Sequence, residues 1–221
     1  MTGARRTGAM RSNGQGLTIA VPRGALFKDT LDRLDAIGID TSELRFNDRK
    51  LLFADIGVVT MRPSDVPTYV EAGAADVGIT GKDVLIEQPE REVYELLDLR
   101  YGSCRMIFAT IDGPDPSAEA LRRLGVMRVA TKYYKTAGAY FEQTGRQAEI
   151  VEVKGSVELA PLTGLVEAIV DLTATGTTLK ENNLVIREEL FTSTARLIAN
   201  PVSHKLKAEA IDELLEKLRA T

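Results

Sequence analysis

Residues 169–179 read IVDLTATGTTL, a short apolar run that ends in small, hydroxyl-bearing residues. Branched apolar residues surround the single acid Asp171, and the chain then continues into threonines around Gly176. An apolar run that ends in polar and glycine residues predicts a buried strand followed by a loop. The stretch therefore predicts one strand of an α/β sheet, with a loop at the edge where such folds bind ligands.

The loop contains the groups that a phosphate site needs. Backbone N–H groups at a turn and hydroxyl donors both favour an anion, and glycine permits a positive φ angle. Asp171 is an acceptor, and it is predicted to bind ribose hydroxyl groups, as acids do in dinucleotide sites. A ribose 5-phosphate would suit both parts, although a plain strand and threonine-rich turn fits the same residues. The residues predicted to bind the phosphate are Thr173, Ala174, Thr175, Gly176, Thr177 and Thr178.

The composition of the 221-residue chain limits the chemistry that it can perform. Its 44% apolar and 27% charged residues are typical of a globular protein, and no apolar run approaches the length of a membrane span. A net charge of -4 argues against a nucleic-acid partner. One cysteine (Cys104) and one histidine (His204) argue against a His/Cys metal site or a catalytic pair, so both are expected to be structural. The single cysteine suits a reducing cytoplasm.

Apolar runs and helical spacings alternate along the chain, which predicts an α/β class without deciding between one sheet and two. Residues 1–16 are rich in glycine and basic, without the apolar segment of a secretory signal, so we expect a disordered tail. Residues 189–200 predict one returning strand in outline. Residues 203–219 predict one amphipathic helix with Ser203 as its N-cap.

Basic residues recur at the ends of predicted strands. Arg23 and Gly24 follow the first strand, while Arg62, Lys82 and Arg105 occupy similar positions later in the chain. Ligand contacts in α/β folds lie beyond the carboxyl ends of strands. Several cations that converge on one edge would suit a polyanionic ligand, whereas any single one of them could be an ordinary surface residue.

Several sequence blocks, taken in order along the chain, resemble the ATP phosphoribosyltransferase family. The enzymes of this family catalyse the first step of histidine biosynthesis. The strongest part is residues 169–179 with Glu158 and Gly164 before them, which is similar to the family's phosphoribosyl pyrophosphate (PRPP) motif. The resemblance runs from about Leu17 to the last predicted helix. Supporting blocks are residues 62–67, 73–85, 101–105 and 129–133.

The chain departs from the family pattern at two places. Arg23-Gly24-Ala25 stands where Lys-Gly-Arg is common, and Val166 and Glu167 replace a small residue and an aspartate. These departures bear on individual contacts more than on membership.

The resemblance implies two α/β lobes with a central cleft, like a type II periplasmic binding protein. We expect the first lobe to comprise residues 17–104 and 190–221, and the second lobe, with the PRPP loop, residues 105–189. Because the chain stops after its last predicted helix, it resembles the short form of the family. Short-form enzymes act with a catalytically inactive subunit resembling histidyl-tRNA synthetase, in a hetero-octamer.

The implied reaction joins N1 of the adenine of ATP to C1 of PRPP and releases pyrophosphate. N1 already has a lone pair, so positioning and electrostatics are expected to supply the catalysis without a covalent enzyme intermediate. Asp171 and the 173–178 loop are assigned to PRPP, with Glu158 as a second catalytic anchor. Mg²⁺ is expected to enter on the substrate, held by substrate oxygens and water and not by protein ligands. The candidates for ATP or pyrophosphate are Arg23, Gly24, Arg62, Lys82 and Arg105.

Two other functions fit parts of the sequence. One is a two-lobed small-molecule binding protein without catalysis, which shares the implied architecture. The threonine-glycine loop and the lack of a signal-like segment argue against it. The other is a PRPP transferase that acts on a different base, against which only the family resemblance argues.

Overall fold

The computed structural model describes residues 16–221, so the tail expected over residues 1–16 lies outside them except for Gly16. Strands and helices alternate along this part of the chain. The described strands are β1 (Ile19–Pro22), β2 (Leu52–Phe53), β3 (Val58–Met61), β4 (Val77–Gly81), β5 (Tyr94–Asp98), β6 (Cys104–Ile111), β7 (Met127–Thr131), β8 (Ala148–Glu152), β9 (Ala168–Thr173), β10 (Leu184–Ser193) and β11 (Ala195–Ala199). The described α-helices are α1 (Phe27–Ala36), α2 (Ser42–Phe46), α3 (Val66–Glu71), α4 (Lys82–Glu87), α5 (Pro116–Leu124), α6 (Tyr134–Thr144), α7 (Leu159–Leu162), α8 (Thr177–Glu181), α9 (Pro201–Leu206) and α10 (Ala208–Arg219).

The chain forms two compact units, each built on its own sheet, which confirms the predicted α/β class. The first unit contains the described residues up to Leu85, together with Glu90–Gly102 and Thr194–Thr221. The second unit contains Ile86–Pro89 and Ser103–Ser193. The predicted lobe boundaries lay near residues 104 and 190, whereas the chain leaves the first unit after Gly102 and returns to it at Thr194.

The first unit has a six-stranded sheet in the order β2-β3-β1-β4-β11-β5. Its three central strands, β3, β1 and β4, are parallel, so their carboxyl ends lie at one edge of the sheet. Side chains of β1 alternate between the two faces, because successive residues of a strand point in opposite directions. Ile19 packs with α1 and α10 on one face, and Ala20 packs with α3 on the other.

The second unit has a five-stranded sheet in the order β10-β6-β9-β7-β8, in which β9, β7 and β8 are parallel. Along β9, Val170 packs into the apolar cluster that includes α5 and α6, and Ile169 packs into the cluster that includes α7 and α8. Because side chains alternate with a period of two, Asp171 and Thr173 lie on the same face as Ile169. The acid and the loop therefore begin on the face that α7 and α8 cover.

The carboxyl-terminal part of the chain differs from its prediction in two respects. The single strand expected over residues 189–200 is wrong, because β10 belongs to the second sheet and β11 to the first, with Thr194 between them. The apolar run is almost continuous there, so the passage between sheets leaves no mark in the sequence pattern.

The single helix expected over residues 203–219 is also wrong, because α9 and α10 are separated at Lys207, whose φ of -125 is not helical. Asn200 caps α9 by accepting hydrogen bonds from the N–H groups of Val202 and Ser203, and Pro201 occupies the first helical position. Ser203, the predicted cap, instead donates its hydroxyl hydrogen to Asp76.

Two helices near the candidate residues are short. Helix α4 begins directly after β4. Helix α7 stops at Leu162. Gly164 has a φ of 73 and redirects the chain just beyond it. Within residues 16–221, no helix is long and apolar enough to cross a bilayer.

Candidate active site

Asp171 is a largely buried acid at the carboxyl end of β9. Its side chain is 14% exposed, and its Oδ1 atom accepts a hydrogen bond from the N–H of Leu172 at 2.8 Å. Burial raises the pKa of Asp171 above its usual value, and the negative charge of Glu158 adds to this rise. The positive charge of Lys132, whose Nζ atom lies 4.0 Å from Oδ1, acts in the opposite direction. Burying a carboxylate in this way costs free energy, which favours a functional role over a purely structural one for Asp171.

The predicted phosphate loop connects β9 to α8. Gly176 has a φ of 77, which is the left-handed conformation that glycine permits. The N–H of Gly176 donates to Thr173 Oγ1 at 2.9 Å, and this bond closes the turn. The hydroxyls of Thr175 and Thr177 share a hydrogen bond at 2.9 Å. The loop is thus ordered by its own side chains.

The exposed side of this loop borders an open pocket of about 520 Å³. Ala174, Thr175, Thr177 and Thr178 are exposed to solvent. The N–H of Thr177 donates to Thr175 Oγ1 at 3.3 Å, whereas the next N–H groups of α8 have no partner within the helix. Hydroxyls, amides and the Lys180 ammonium therefore border the pocket together with one carboxylate, that of Glu181. The pocket is lined by Thr175, Gly176, Thr177, Lys180 and Glu181.

Lys132 lies beside Asp171, although the sequence analysis did not name it as a candidate site residue. Strand β7 is parallel to β9, with Val129 opposite Ala168 and Ala130 opposite Ile169. Two residues further along the same register, Lys132 lies level with Asp171. The available signal was a cation directly after a buried strand, the same signal that drew attention to the other candidate cations. Only the strand order shows that this lysine comes next to the acid.

Glu158 and Arg105 are the remaining predicted site residues in the second unit. Glu158 is half-buried directly before α7, close enough for its charge to raise the pKa of Asp171. Arg105 lies on β6 opposite Thr173, so the sheet brings it to the first residue of the loop. Its Nη1 atom lies 3.0 Å from Glu189 Oε2. Arg105 therefore lies beside the start of the 173–178 loop, and Glu158 lies near Asp171.

The other candidate cations belong to the first unit. Arg23, Arg62 and Lys82 directly follow β1, β3 and β4, and the parallel arrangement places all three at one sheet edge. Arg62 is exposed, whereas Lys82 forms an ion pair of 2.6 Å with Glu95. Gly24 is exposed and has a φ of 87, so this turn favours glycine.

The guanidinium group of Arg23 is already engaged by other groups of the protein. Its Nε atom donates to Thr60 Oγ1 at 2.9 Å, and its Nη2 atom donates to the carbonyl oxygen of Lys50 at 2.8 Å. The guanidinium also lies 5.3 Å from the centre of the Phe27 ring. These contacts fasten residues 47–50 to the end of β1. A contact between Arg23 and ATP stays a prediction.

The second departure from the family pattern has a structural explanation. Glu167 accepts hydrogen bonds from the backbone N–H of Arg128 at 2.6 Å and from its guanidinium at 2.5 Å. Burial pushes the pKa of Glu167 upward, but the hydrogen bonds from Arg128 outweigh it and lower the pKa below its usual value. Val166 is buried against the α7 side of the sheet. Glu167 thus joins the starts of β7, which Lys132 directly follows, and β9, which contains Asp171.

Among residues 16–221, no group of three or more His, Cys, Asp or Glu side chains could hold a metal ion. His204 packs edge-on against Tyr94 with 5.5 Å between the ring centres, which is a packing role. Cys104 lies at the start of β6, where its Sγ atom is 3.9 Å from the carbonyl oxygen of Ser193.

Comparison with known proteins gives one consistent family. A family model described as ATP phosphoribosyltransferase (HisG) matches residues 62–220. The chain is 55% identical over 204 residues to a protein from Rubrobacter xylanophilus named ATP phosphoribosyltransferase, which covers 91% of this chain and 94% of that protein. It is 45% identical over 207 residues to a protein of the same name from Caldanaerobacter subterraneus, with coverage of 92% and 96%.

Solved structures include a protein of the same family and a protein that is similar in fold alone. The ATP phosphoribosyl transferase (HisG:HisZ) complex from Thermotoga maritima matches with a TM-score of 0.79 and 37% identity, covering 92% of this chain and 96% of that chain. The periplasmic aliphatic sulphonate binding protein SsuA from Escherichia coli matches with a TM-score of 0.58 and 12% identity, covering 94% and 71%. The second likeness concerns the fold alone, and it agrees with the predicted two-lobed, periplasmic-binding-protein type.

Proposed function

Because this chain belongs to the ATP phosphoribosyltransferase family, we infer that it transfers the 5-phosphoribosyl group of PRPP to N1 of the adenine of ATP. The products are phosphoribosyl-ATP and pyrophosphate, and the reaction is the first step of histidine biosynthesis. The observation that carries the site assignment is a buried Asp171 that leads directly into an exposed, hydroxyl-rich loop.

The second unit binds PRPP in this proposal. The 5-phosphate lies against the 173–178 loop, where hydroxyl and amide donors face the pocket beside Lys180. Asp171 accepts hydrogen bonds from the ribose hydroxyl groups, which orients C1 of the ribose. Glu158 is the second acid near the ribose. Fixing the ribose at both ends supports catalysis, because correct orientation of two reactants is worth several kcal/mol, up to about 10.

In this proposal, arginine and lysine side chains provide the electrostatic stabilisation in catalysis. N1 of adenine attacks C1 with its own lone pair while the bond from C1 to pyrophosphate breaks, so negative charge grows on the leaving group. Arg62 and Lys82, whose positions follow β3 and β4, are candidates for the phosphates of ATP or for pyrophosphate, as is Arg105. Arg23 is a weaker candidate, because its guanidinium already donates hydrogen bonds to carbonyl oxygens in residues 47–50. Gly24, the next residue in the same turn, is a candidate through its backbone.

Magnesium enters with the substrate in this proposal. PRPP binds as its magnesium complex, in which substrate oxygens and water hold the ion and the ion neutralises charge on the departing pyrophosphate. Asp171 and its neighbour Glu158 are a donor set that suits a substrate-bound hard cation and not a resident metal centre.

The likeness to the Thermotoga maritima complex supports a partner for this chain. That structure is a complex of HisG with HisZ. We propose that this chain is likewise the catalytic subunit of a short-form enzyme, joined in a hetero-octamer by a regulatory subunit resembling histidyl-tRNA synthetase. We also propose that it acts in the cytoplasm, with neither nucleic acid nor membrane as a partner.

The test is an assay of the purified chain with ATP, PRPP, Mg²⁺ and inorganic pyrophosphatase, in which the ultraviolet absorbance of phosphoribosyl-ATP reports product. Product should appear only when both substrates are present. The assay should be repeated with the regulatory subunit added, because the proposed enzyme includes that subunit. Failure in both assays, together with no calorimetric binding of PRPP, would contradict the proposed function.

A further inference from the structure

We propose that Lys132 is a positioning residue of the PRPP site, and that its ammonium group holds Asp171 as an oriented carboxylate ready to accept the ribose hydroxyl groups. This inference rests on the proposed function and adds a residue to it. No motif assigned Lys132 a role, and its place in the site follows from the order and register of β7 and β9.

The geometry fixes the lysine beside the acid. The Lys132 Nζ atom lies 4.0 Å from Asp171 Oδ1, and the same ammonium lies 4.8 Å from the centre of the Tyr133 ring. Tyr133 is 7% exposed and belongs to the apolar cluster of the second unit, so its ring offers a fixed surface. A cation over an aromatic face is attracted to it. The buried Tyr133 ring thus helps to hold the Lys132 ammonium group beside Asp171.

The charges around Asp171 explain why it needs a cation. From the segment before α7, Glu158 faces it with a like charge, and burial also opposes ionisation, so both raise the pKa of Asp171. From β7, Lys132 lowers that pKa, and the Leu172 amide on β9 itself does the same. On β6, Ile107 lies opposite Asp171, and Arg105 two residues away is engaged with Glu189.

The two side chains differ in exposure in a way that suits this division of roles. Lys132 is 45% exposed, whereas Asp171 is 14% exposed. A half-exposed lysine keeps most of its hydration, so placing it there requires little desolvation, while its charge still reaches a buried carboxylate. A protonated Asp171 would have one fewer acceptor for ribose hydroxyls. Removing Lys132 should therefore weaken PRPP binding most where the acid begins to take up a proton.

The test compares Lys132→Met and Lys132→Arg with the unmodified chain in calorimetric titrations of Mg²⁺-PRPP at about pH 5.5 and about pH 8.5. We expect Lys132→Met to lose roughly fivefold more affinity at the lower pH, a factor comparable to one charge pair at this distance in water. Lys132→Arg should restore most of the loss. Lys217→Met is the matched control, since Lys217 is 42% exposed and forms an ion pair with Glu213 far along the chain.

Two outcomes would overturn the proposal. An equal or larger loss at the higher pH would mean that the lysine contacts a phosphate directly, and no loss at either pH would mean that it has no role. A second measurement needs no ligand: the Asp171 carboxyl carbon, followed by ¹³C NMR, should titrate at higher pH in Lys132→Met than in the unmodified chain. If the unmodified chain fails to bind PRPP, the proposed function fails, while the carboxyl titration still decides whether Lys132 controls Asp171.

Discussion

At the scale of single residues, burial of Asp171 opposes its ionisation, whereas the role proposed for it needs the carboxylate. It is the acid on an otherwise apolar strand, and its burial raises its pKa. The folded chain therefore binds a proton at Asp171 more tightly than the unfolded chain does. Stability associated with this group is retained below the unfolded pKa and lost as pH rises through the folded pKa.

We predict that Asp171→Asn abolishes most of the activity and stabilises the fold. The value of kcat/KM should fall by roughly 100-fold or more, the scale of losing one preorganised polar contact in a transition state. The melting temperature should rise at neutral pH and change little near the usual carboxyl pKa, because only the ionised acid opposes burial. Thermal unfolding at both pH values measures this. Asp112→Asn, at an exposed acid of the same unit, is the control. A variant with near-normal turnover would remove Asp171 from the site.

The glycine of the loop allows a second test at the same scale. Gly176 and Gly125 have nearly the same φ, 77 and 75, and a Cβ atom at either would meet nothing within 4 Å. We expect Gly176→Ala and Gly125→Ala each to lower the free energy of unfolding by about 1 kcal/mol, because an L-residue is strained in this conformation. Only Gly176→Ala should weaken PRPP binding. Urea unfolding and calorimetry measure the two effects, and equal PRPP affinity in both variants would separate the phosphate from this loop.

At the scale of elements, the apolar patterns predicted most strands and helices but not the points where the chain changes direction without a sequence signal. Thr194 separates two strands of different sheets and is itself compatible with a strand, so residues 189–200 gave one predicted strand. Lys207 separates α9 from α10 in the same way. In contrast, the loop after β9 was predicted, and Gly176 has the positive φ that glycine was expected to permit there.

The break between α9 and α10 is held to the sheet by one buried acid. Asp76 accepts hydrogen bonds from the Lys207 ammonium at 2.7 Å, the Ser203 hydroxyl at 2.7 Å and the Thr18 N–H at 2.8 Å. Burial pushes the pKa of Asp76 upward, but these hydrogen bonds outweigh it and hold the pKa below its usual value. Stability from this group is therefore present above the unfolded pKa and lost as pH falls through the folded pKa.

We predict that Asp76→Asn lowers the free energy of unfolding by about 2 kcal/mol at neutral pH, since it removes the charge from three hydrogen bonds. The difference from the unmodified chain should shrink below about pH 4, where the native acid also becomes protonated. Urea unfolding as a function of pH measures this. Asp212→Asn, at an exposed acid on α10, should show no such dependence. A constant difference across the pH range would contradict the role given to the charge.

At the scale of the whole molecule, the sequence predicted an α/β fold, and the family resemblance supplied the division into two units. The composition and periodicity alone left one sheet or two undecided. Within the candidate site, Asp171 and the 173–178 loop are adjacent in sequence, so their proximity could be predicted without the fold. Lys132 joins them only through the register of β7 on β9, which is long-range information. Nor could the pattern show that the Arg23 guanidinium is engaged by backbone carbonyls.

The proposed binding of the 5-phosphate of PRPP by the 173–178 loop is tested most directly by ³¹P NMR, because the 5-phosphate and the pyrophosphate of PRPP give separate signals. We predict that the unmodified chain shifts and broadens the 5-phosphate signal in the presence of Mg²⁺. Thr177→Val, which removes an exposed loop hydroxyl, should diminish this effect, whereas Thr163→Val, at an exposed threonine after α7, should preserve it. A 5-phosphate signal that responds equally to all three proteins, or to none, would contradict the account.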